Sequence, residues 1–398
     1  MFASIDKVAR KHISGLLESA DIRINGSRPW DVQVKNEAFF SRVLLYGSLG
    51  LGESYMDRWW DCKALDLFFY RLLRHKLDKI SQFRTSALLK AIKAMLLNCQ
   101  SRRRAYEVGE KHYDAGNDLF EGMLDSNMIY SCGFWKNAEN LQEAQEAKMK
   151  MICRKLRLKP GMRLLDIGCG WGGLAAYAAR NFGVTVVGVT VSREQAELAR
   201  QRCRELPVEI RLQDYRKVNE IFDAVVSVGM FEHVGYKNYR EFMEVVRSCM
   251  KKDGHFLLHS IASNTTVHHC DPWFDKYIFP NGMLPSIKQL GAAIENSFIM
   301  EDWQNIGVHY DQTLMAWYAN FEKCWQQLKE KYSDRFYRMW RYYLLSAAGG
   351  FRSRSLQVWQ VVLSPEGAVG GYSILSDDVY GEENGDHARQ SGKTRAFL

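Results

Sequence analysis

Between Arg163 and Ile261 short apolar runs alternate with amphipathic stretches. Arg163–Ile167, Val184–Val189, Val208–Leu212, Phe222–Val228 and His255–Ile261 have the length and the Val, Ile and Leu content of strands. Leu174–Asn181 and Arg193–Arg204 instead repeat their apolar residues at helical spacing. Strands alternating with helices of this length predict an α/β fold, a mostly parallel, doubly wound, Rossmann-like sheet covered on both faces. Right-handed crossovers bring the C-terminal ends of the strands to one rim, where such folds bind ligands.

Outside this region the pattern changes. Residues 1 to about 100 read as a small, mainly helical unit: Ile5–Leu17, Phe39–Leu45 and Leu65–Leu73 have helical spacing, and Ile22–Val34 reads as two short extended pieces around the turn Asn25-Gly26. In Leu88–Leu97, Lys90 and Lys93 oppose Leu88, Leu89, Ile92, Met95 and Leu96, which suits either a packed helix or one lying on lipid head groups. Residues 262–284, with Pro272, Pro280, Asn281 and Gly282, read as an insertion and are expected to form a lid. Asp311–Lys331 and Arg335–Leu345 read as helices, and Leu356–Leu363 as a last strand. Gly, Ser and Asp dominate 365–398, which is expected to be disordered. The expected division is an N-terminal unit over 1–100, a basic linker to about 111, and a second, α/β domain over 101–364.

Composition sharpens this. With 46 % apolar residues in 398, a sizeable core is expected. The net charge is +8, and Arg71–Lys111 alone holds eleven Lys/Arg against three acids, which accounts for the whole excess. Such a block points to a polyanion. No helix-turn-helix, RNP or zinc-finger pattern accompanies it, so an anionic membrane surface is expected rather than nucleic acid. The Arg102-Arg103-Arg104 run adds to that, at about 1 kcal/mol per basic residue near the surface. No apolar run reaches the roughly 18 residues of a membrane span. The N-terminus, with Asp6, Lys7, Arg10 and Lys11, lacks the apolar core of a signal peptide. A cytoplasmic protein peripherally associated with the membrane is expected. The nine cysteines stand singly, without a C-x-x-C, as in a reducing compartment. His268-His269-Cys270 are adjacent and cannot easily all face one ion, so no metal role is expected.

Candidate chemistry centres on Gly168-Cys-Gly170-Trp-Gly-Gly173, between the first strand and its helix. Glycines there let backbone approach a ligand at the head of a helix. Alone the motif fits a dinucleotide equally well. An NAD site needs an acid at the tip of the second strand, and that strand ends Gly188-Val-Thr190 with no carboxylate at its tip. Acids stand instead at Asp166 and, after the third strand, in Gln213-Asp214. This resembles class I methyltransferases that use S-adenosylmethionine, in which the first acid steers the methionine end and the later one accepts from the adenine amino group.

Glu110-Lys-His-Tyr-Asp, Tyr130-Ser-Cys132, Leu164–Gly173, Gly188–Ser192, Gly229-Met-Phe-Glu-His-Val-Gly235 and Tyr277-Ile-Phe-Pro-Asn-Gly282 occur together in one order. From about Gly26 to Val362 the chain thus resembles the cyclopropane-fatty-acid synthase and mycolic acid cyclopropane synthase family, and Gly47–Met56 is similar to its phospholipid-modifying branch. The resemblance implies methyl transfer to a cis double bond of an acyl chain, a carbocation, loss of a proton and ring closure. It implies two cofactors, S-adenosylmethionine and a bicarbonate ion that takes the proton. Matching positions for the reacting centre are Cys132, Glu232, His259, Tyr310 and the backbone of Ile261. Those for S-adenosylmethionine are Tyr130, Ser131, Leu165, Asp166, Gly168, Gly170, Trp171, Gly172, Gly173, Thr190, Gln195, Gln213 and Asp214. A homodimer on membranes of anionic phospholipids with unsaturated acyl chains is also implied.

Weighed on their own, several of these residues have plainer readings. Cys132 and His259 would each suit a buried core, and spacing cannot say whether Glu232 or His233 points inward; family matching selects Glu232. Trp59-Trp60 reads as core before lipid anchor. Ala347 stands where some family members carry a cysteine, which removes a thiol role there. Rival readings are a lipid C-methyltransferase without ring closure, a non-catalytic lipid-binding protein with this fold, and an RNA methyltransferase.

Overall fold

The computed structural model describes residues 2–79 and 116–372, with side chains over 7–78 and 116–372. The amphipathic stretch Leu88–Leu97, the arginine run, most of the basic block, the expected boundary near residue 100 and the tail beyond Tyr372 lie outside the described residues.

The N-terminal unit holds α1 (Phe2–Ser19), β1 (Gln33–Val34), α2 (Ala38–Met56), β2 (Trp60–Asp61) and α3 (Leu65–Arg74). α2 is longer than its first apolar run predicts: it breaks at Gly47 (φ 57°, ψ −130°) and then continues helical to Met56. Trp60 is fully buried against Phe39, Tyr55 and Phe68, as expected for core.

α4 (Asn117–Met123) and α5 (Leu141–Lys155) lead into the seven-stranded sheet. It comprises β3 (Arg163–Ile167), β4 (Thr185–Thr190), β5 (Val208–Leu212), β6 (Phe222–Val228), β7 (Met250–Ser263), β8 (Ile299–Asn305) and β9 (Leu356–Ser364) in the order β5-β4-β3-β6-β7-β9-β8. The first five pair in parallel, whereas β9 runs antiparallel to both β7 and β8. α6 (Gly173–Phe182), α7 (Arg193–Cys203), α8 (Tyr239–Ser248) and α10 (Ile287–Ile294) are the sheet's helices; α9 (Pro272–Tyr277) lies in the insertion, and α11 (Tyr310–Leu328) and α12 (Asp334–Arg352) follow β8. Apolar clusters fill both sides of the sheet, one around Leu165, Val225 and Phe256 and the other around Leu164, Val226 and Leu257, as strand alternation requires. Among the described residues no helix is long and apolar enough to cross a membrane.

The N-terminal elements and the helices that follow β8 share one apolar cluster, which joins Phe68 and Phe69 of α3 to Tyr342 and Phe351 of α12. Arg352 of α12 pairs with both Asp66 of α3 (2.6 Å) and Asp311 of α11 (2.8 Å). The insertion is tied to the same unit. Its helix α9 is capped by Asp271, seats Trp273 against Tyr342, and sends Lys276 and Tyr277 to Glu53 of α2 (2.6 and 2.8 Å). A Cβ on Gly52 would lie 2.2 Å from the Trp273 ring. Gly52→Ala is therefore expected to cost about 1–3 kcal/mol of overpacking. A lowered thermal unfolding midpoint is the readout; an unchanged one means that Trp273 yields freely.

The tail differs from expectation at its start. Residues 365–372 stay against the domain: Glu301 accepts from Ala368 N (2.8 Å), and the Tyr372 hydroxyl donates to the Lys155 carbonyl (2.5 Å). The Tyr372 ring packs there against the Arg157 guanidinium (4.6 Å) and the tilted His255 ring (5.3 Å), which a Gly- and Ser-rich composition does not reveal.

Candidate active site

Parallel pairing brings Ile167, Thr190, Leu212, Val228 and His259 toward one rim. The turn after β3 is pinned there, since Gly168 N and Cys169 N both donate to Val189 O (2.9 and 3.1 Å). Its glycines do different work. Gly170 has φ +54°, and a Cβ on it would meet nothing within 4 Å, so its backbone is open to a ligand. Gly173 instead lets the Asn127 carbonyl approach the head of α6, to within 2.1 Å of where a Cβ would sit.

A cavity of about 1470 Å³ opens along this rim. Tyr130, Ser131, Asp166, Gly168, Gly170, Trp171, Gly173, Thr190, Gln195, Gln213 and Asp214 all line it. Two expected cofactor residues do not. Leu165 points into the core beneath the sheet, because its neighbour Asp166 takes the other face. Gly172 caps α6 and backs onto Ala199 and Cys203.

The polar groups at the turn are arranged in advance. Thr190 Oγ1 donates to Gln195 Oε1 (3.0 Å), and Asp214 holds Arg216 (2.6 Å). Asp166 is buried, its Oδ2 has no hydrogen-bond partner among the described residues, and burial pushes its carboxyl up to about 7 against the pull of Lys148. An exposed backbone turn and an unsatisfied buried carboxylate suit a ligand that brings its own cation and donors.

Cys132, Glu232, His259, Ile261 and Tyr310 line the same cavity. They arrive from four places: the loop before α5, the turn after β6, strand β7 and the head of α11. Glu232 reaches across to β7, where its Oε1 accepts from Ile261 N (2.6 Å); its Oε2 has no partner among the described residues. Burial raises this carboxyl to about 7. His259 pairs through Nδ1 with the Gln360 amide of β9 (3.3 Å), and burial holds the ring well below its ordinary value, so it is neutral. Burial also keeps the Cys132 thiol and the Tyr310 phenol protonated, and Tyr310 feels both Cys132 and Glu232. His233 lines the cavity as well, held neutral by burial at about 4, so both members of the Glu-His pair reach it. Aromatic rings wall this end: Tyr310 against Phe351 (4.5 Å), backed in the core by Trp317 (5.8 Å), and Tyr130 bonded to the Tyr343 hydroxyl (2.7 Å). Ala347 lies in the lining.

Sequence reasoning misses two residues. Gln145 and Lys148 of α5 are buried, and both bond Ser131: Gln145 Nε2 to its carbonyl (2.9 Å) and Lys148 Nζ to its hydroxyl (2.8 Å). The available signal is their position on the apolar stripe of Leu141, Ala144 and Ile152.

The sheet order, the acid and glycine turn after the first strand and the acid after the third define a class I S-adenosylmethionine-dependent methyltransferase. The profile of the mycolic acid cyclopropane synthetase family matches residues 100–361. The chain belongs to that family. Cyclopropane-fatty-acyl-phospholipid synthase of Escherichia coli (strain K12) is 57 % identical over 349 residues, 88 % of this chain and 91 % of that protein. The cyclopropane synthase MmaA2 from Mycobacterium tuberculosis superposes with a TM-score of 0.62 at 31 % identity, covering 65 % of this chain and 98 % of the other. The mycolic acid cyclopropane synthase CmaA1, solved with SAH and CTAB, gives 0.61 at 31 % identity over 65 % and 98 % of the two chains.

Proposed function

We propose that the chain adds a methylene to the cis double bond of an unsaturated phospholipid acyl chain, making a cyclopropane fatty acyl chain. The observation that carries this is one cavity holding both the Asp166–Gly173 turn and the Cys132, Glu232, His259, Tyr310 group within aromatic walls.

S-adenosylmethionine supplies the methyl group when bound. Asp166, Thr190, Gln195 and Asp214, with the turn backbone, Tyr130 and Ser131, hold it at the rim. An alkene is a weak nucleophile, so the residues must orient it and exclude water. The walls of Tyr310, Phe351, Tyr343 and Tyr130 are aromatic, and their faces favour a passing cation without bonding to it. The proton released on ring closure needs an acceptor that is not itself alkylated. Bicarbonate would supply that; the residues that suit it are Cys132, His259 and Tyr310 as donors, with Glu232 Oε2 to receive its own proton and Ile261 N holding Glu232 Oε1 in place. The neutral states of Cys132, His259 and Tyr310 favour an anion there.

The reading extends to the unit before residue 100 and its basic linker as the part that meets an anionic membrane, and to a homodimer that doubles such contacts. Support comes from the N-terminal side of the cavity, lined by Ile13, Phe39, Phe68 and Leu72 with Arg74 and Lys76 at the end of α3.

The test incubates the protein with labelled S-adenosylmethionine and liposomes of monounsaturated phospholipid, then analyses the acyl chains. A gain of one CH2 with loss of the double bond is expected. A methyl branch means transfer without ring closure, and no label in lipid overturns the reading.

A further inference from the structure

Lys148 is 1 % exposed, and its ammonium bonds one uncharged group, the Ser131 hydroxyl. Asp125 and Asp166 act on it through their charge, but neither carboxylate bonds to it among the described residues. A buried ammonium so poorly compensated is costly, and an apolar side chain of similar volume would stabilise the fold more. The charge therefore faces something the chain does not provide.

A lysine ammonium can only donate, so Ser131 Oγ accepts in this bond and must direct its own proton elsewhere. Ser131, Lys148 and Asp166 all line the cavity beside the glycine turn. Gln145, one turn earlier on α5, fixes the Ser131 carbonyl, so the residue is held from both sides. Asp166 and Lys148 thus present a buried negative and a buried positive group that are not paired with each other. The amino-acid end of S-adenosylmethionine carries an ammonium and a carboxylate, the complementary arrangement.

We propose that Lys148 is a positioning residue for the methionyl carboxylate of the cofactor: it turns the Ser131 hydroxyl proton toward that carboxylate and adds its own charge behind it, while Asp166 faces the ammonium. This rests on S-adenosylmethionine lying at the glycine turn. The charged and titratable groups around Lys148 are Asp125, Cys132 and Asp166, with His259 on β7 held neutral. Burial brings the ammonium down to about 8, so it is mostly charged at neutral pH.

The test compares two probes by calorimetry on the full chain: S-adenosylhomocysteine, and S-adenosyl-3-thiopropylamine, which lacks the carboxylate. In Lys148→Met the affinity for the first should fall about 10- to 100-fold, the range for a lost bond to a charged group. Affinity for the second should stay within about twofold of wild type. Ser131→Ala should show the same selectivity, and the double variant should be no weaker than the worse single. Without ligand, Lys148→Met should unfold no earlier than wild type; if it does not fold, Ser131→Ala carries the comparison alone. Equal loss for both probes overturns the proposal and makes Lys148 structural. Failure of wild type to bind either probe would instead remove the cofactor from this end.

Discussion

Glu232→Gln is expected to lower turnover by about 100-fold or more and leave S-adenosylhomocysteine affinity within about twofold. The substitution keeps an oxygen to accept from Ile261 N, the 2.6 Å bond that ties the turn after β6 to β7. It replaces Oε2, the oxygen with no partner among the described residues, by a group that only donates. An anion carrying its own O–H loses its acceptor there, and positioned proton-transfer partners of this kind contribute about 10²–10⁴-fold. Burial sets the Glu232 carboxyl near 7, so the accepting, ionised form is present above that pH and lost below it. Wild-type turnover should therefore fall about tenfold per pH unit below 7 at fixed bicarbonate concentration. The variant, already low, should lose that slope. Equal losses in turnover and in S-adenosylhomocysteine affinity would make Glu232 a wall of the cofactor pocket.

What can be read in advance follows from which physical signals survive in a linear chain. Apolar runs such as Leu164-Leu165 of β3 and Ala224–Val226 of β6 are legible because both faces of a central parallel strand are buried. β8 is not legible, because it is an edge strand with Glu301 and Asp302 in its middle and no fully buried position. α5 escapes for the opposite reason: Gln145 and Lys148 interrupt its apolar stripe, and the interruption is where the site is supported. Asp166, Glu232 and His259 can be placed on the rim by strand ends alone. Their partners cannot, since Ile261 N, Gln360 and Lys148 come from distant parts of the chain, joined to them only by sheet pairing and helix packing. Strand alternation also explains Leu165, which motif matching carries along with Asp166 although the two face opposite sides.

Asp166→Asn is expected to stabilise the ligand-free protein at pH 8 and to weaken cofactor binding at least tenfold. The carboxyl moves from an ordinary 3.8 to about 7 through burial, so the folded chain holds this proton more tightly than the unfolded chain does. For a carboxyl raised in this way, the favourable contribution is complete below 3.8 and is lost as pH rises through 7. At pH 8 the full cost of the buried carboxylate remains, about 4 kcal/mol from that displacement. Asparagine removes the charge but buries an amide short of partners, at about 1–3 kcal/mol. The net gain should be on the order of 2 kcal/mol at pH 8 and change sign near pH 4, where wild type is protonated and only the amide's cost of about 1–3 kcal/mol remains. Adding S-adenosylhomocysteine should reverse the order, because ligand stabilises only the protein that binds it. Denaturant unfolding at the two pH values, with and without S-adenosylhomocysteine, reads all of this. A variant less stable than wild type at pH 8, or one stabilised equally by ligand, would mean that Asp166 serves the fold rather than the cofactor.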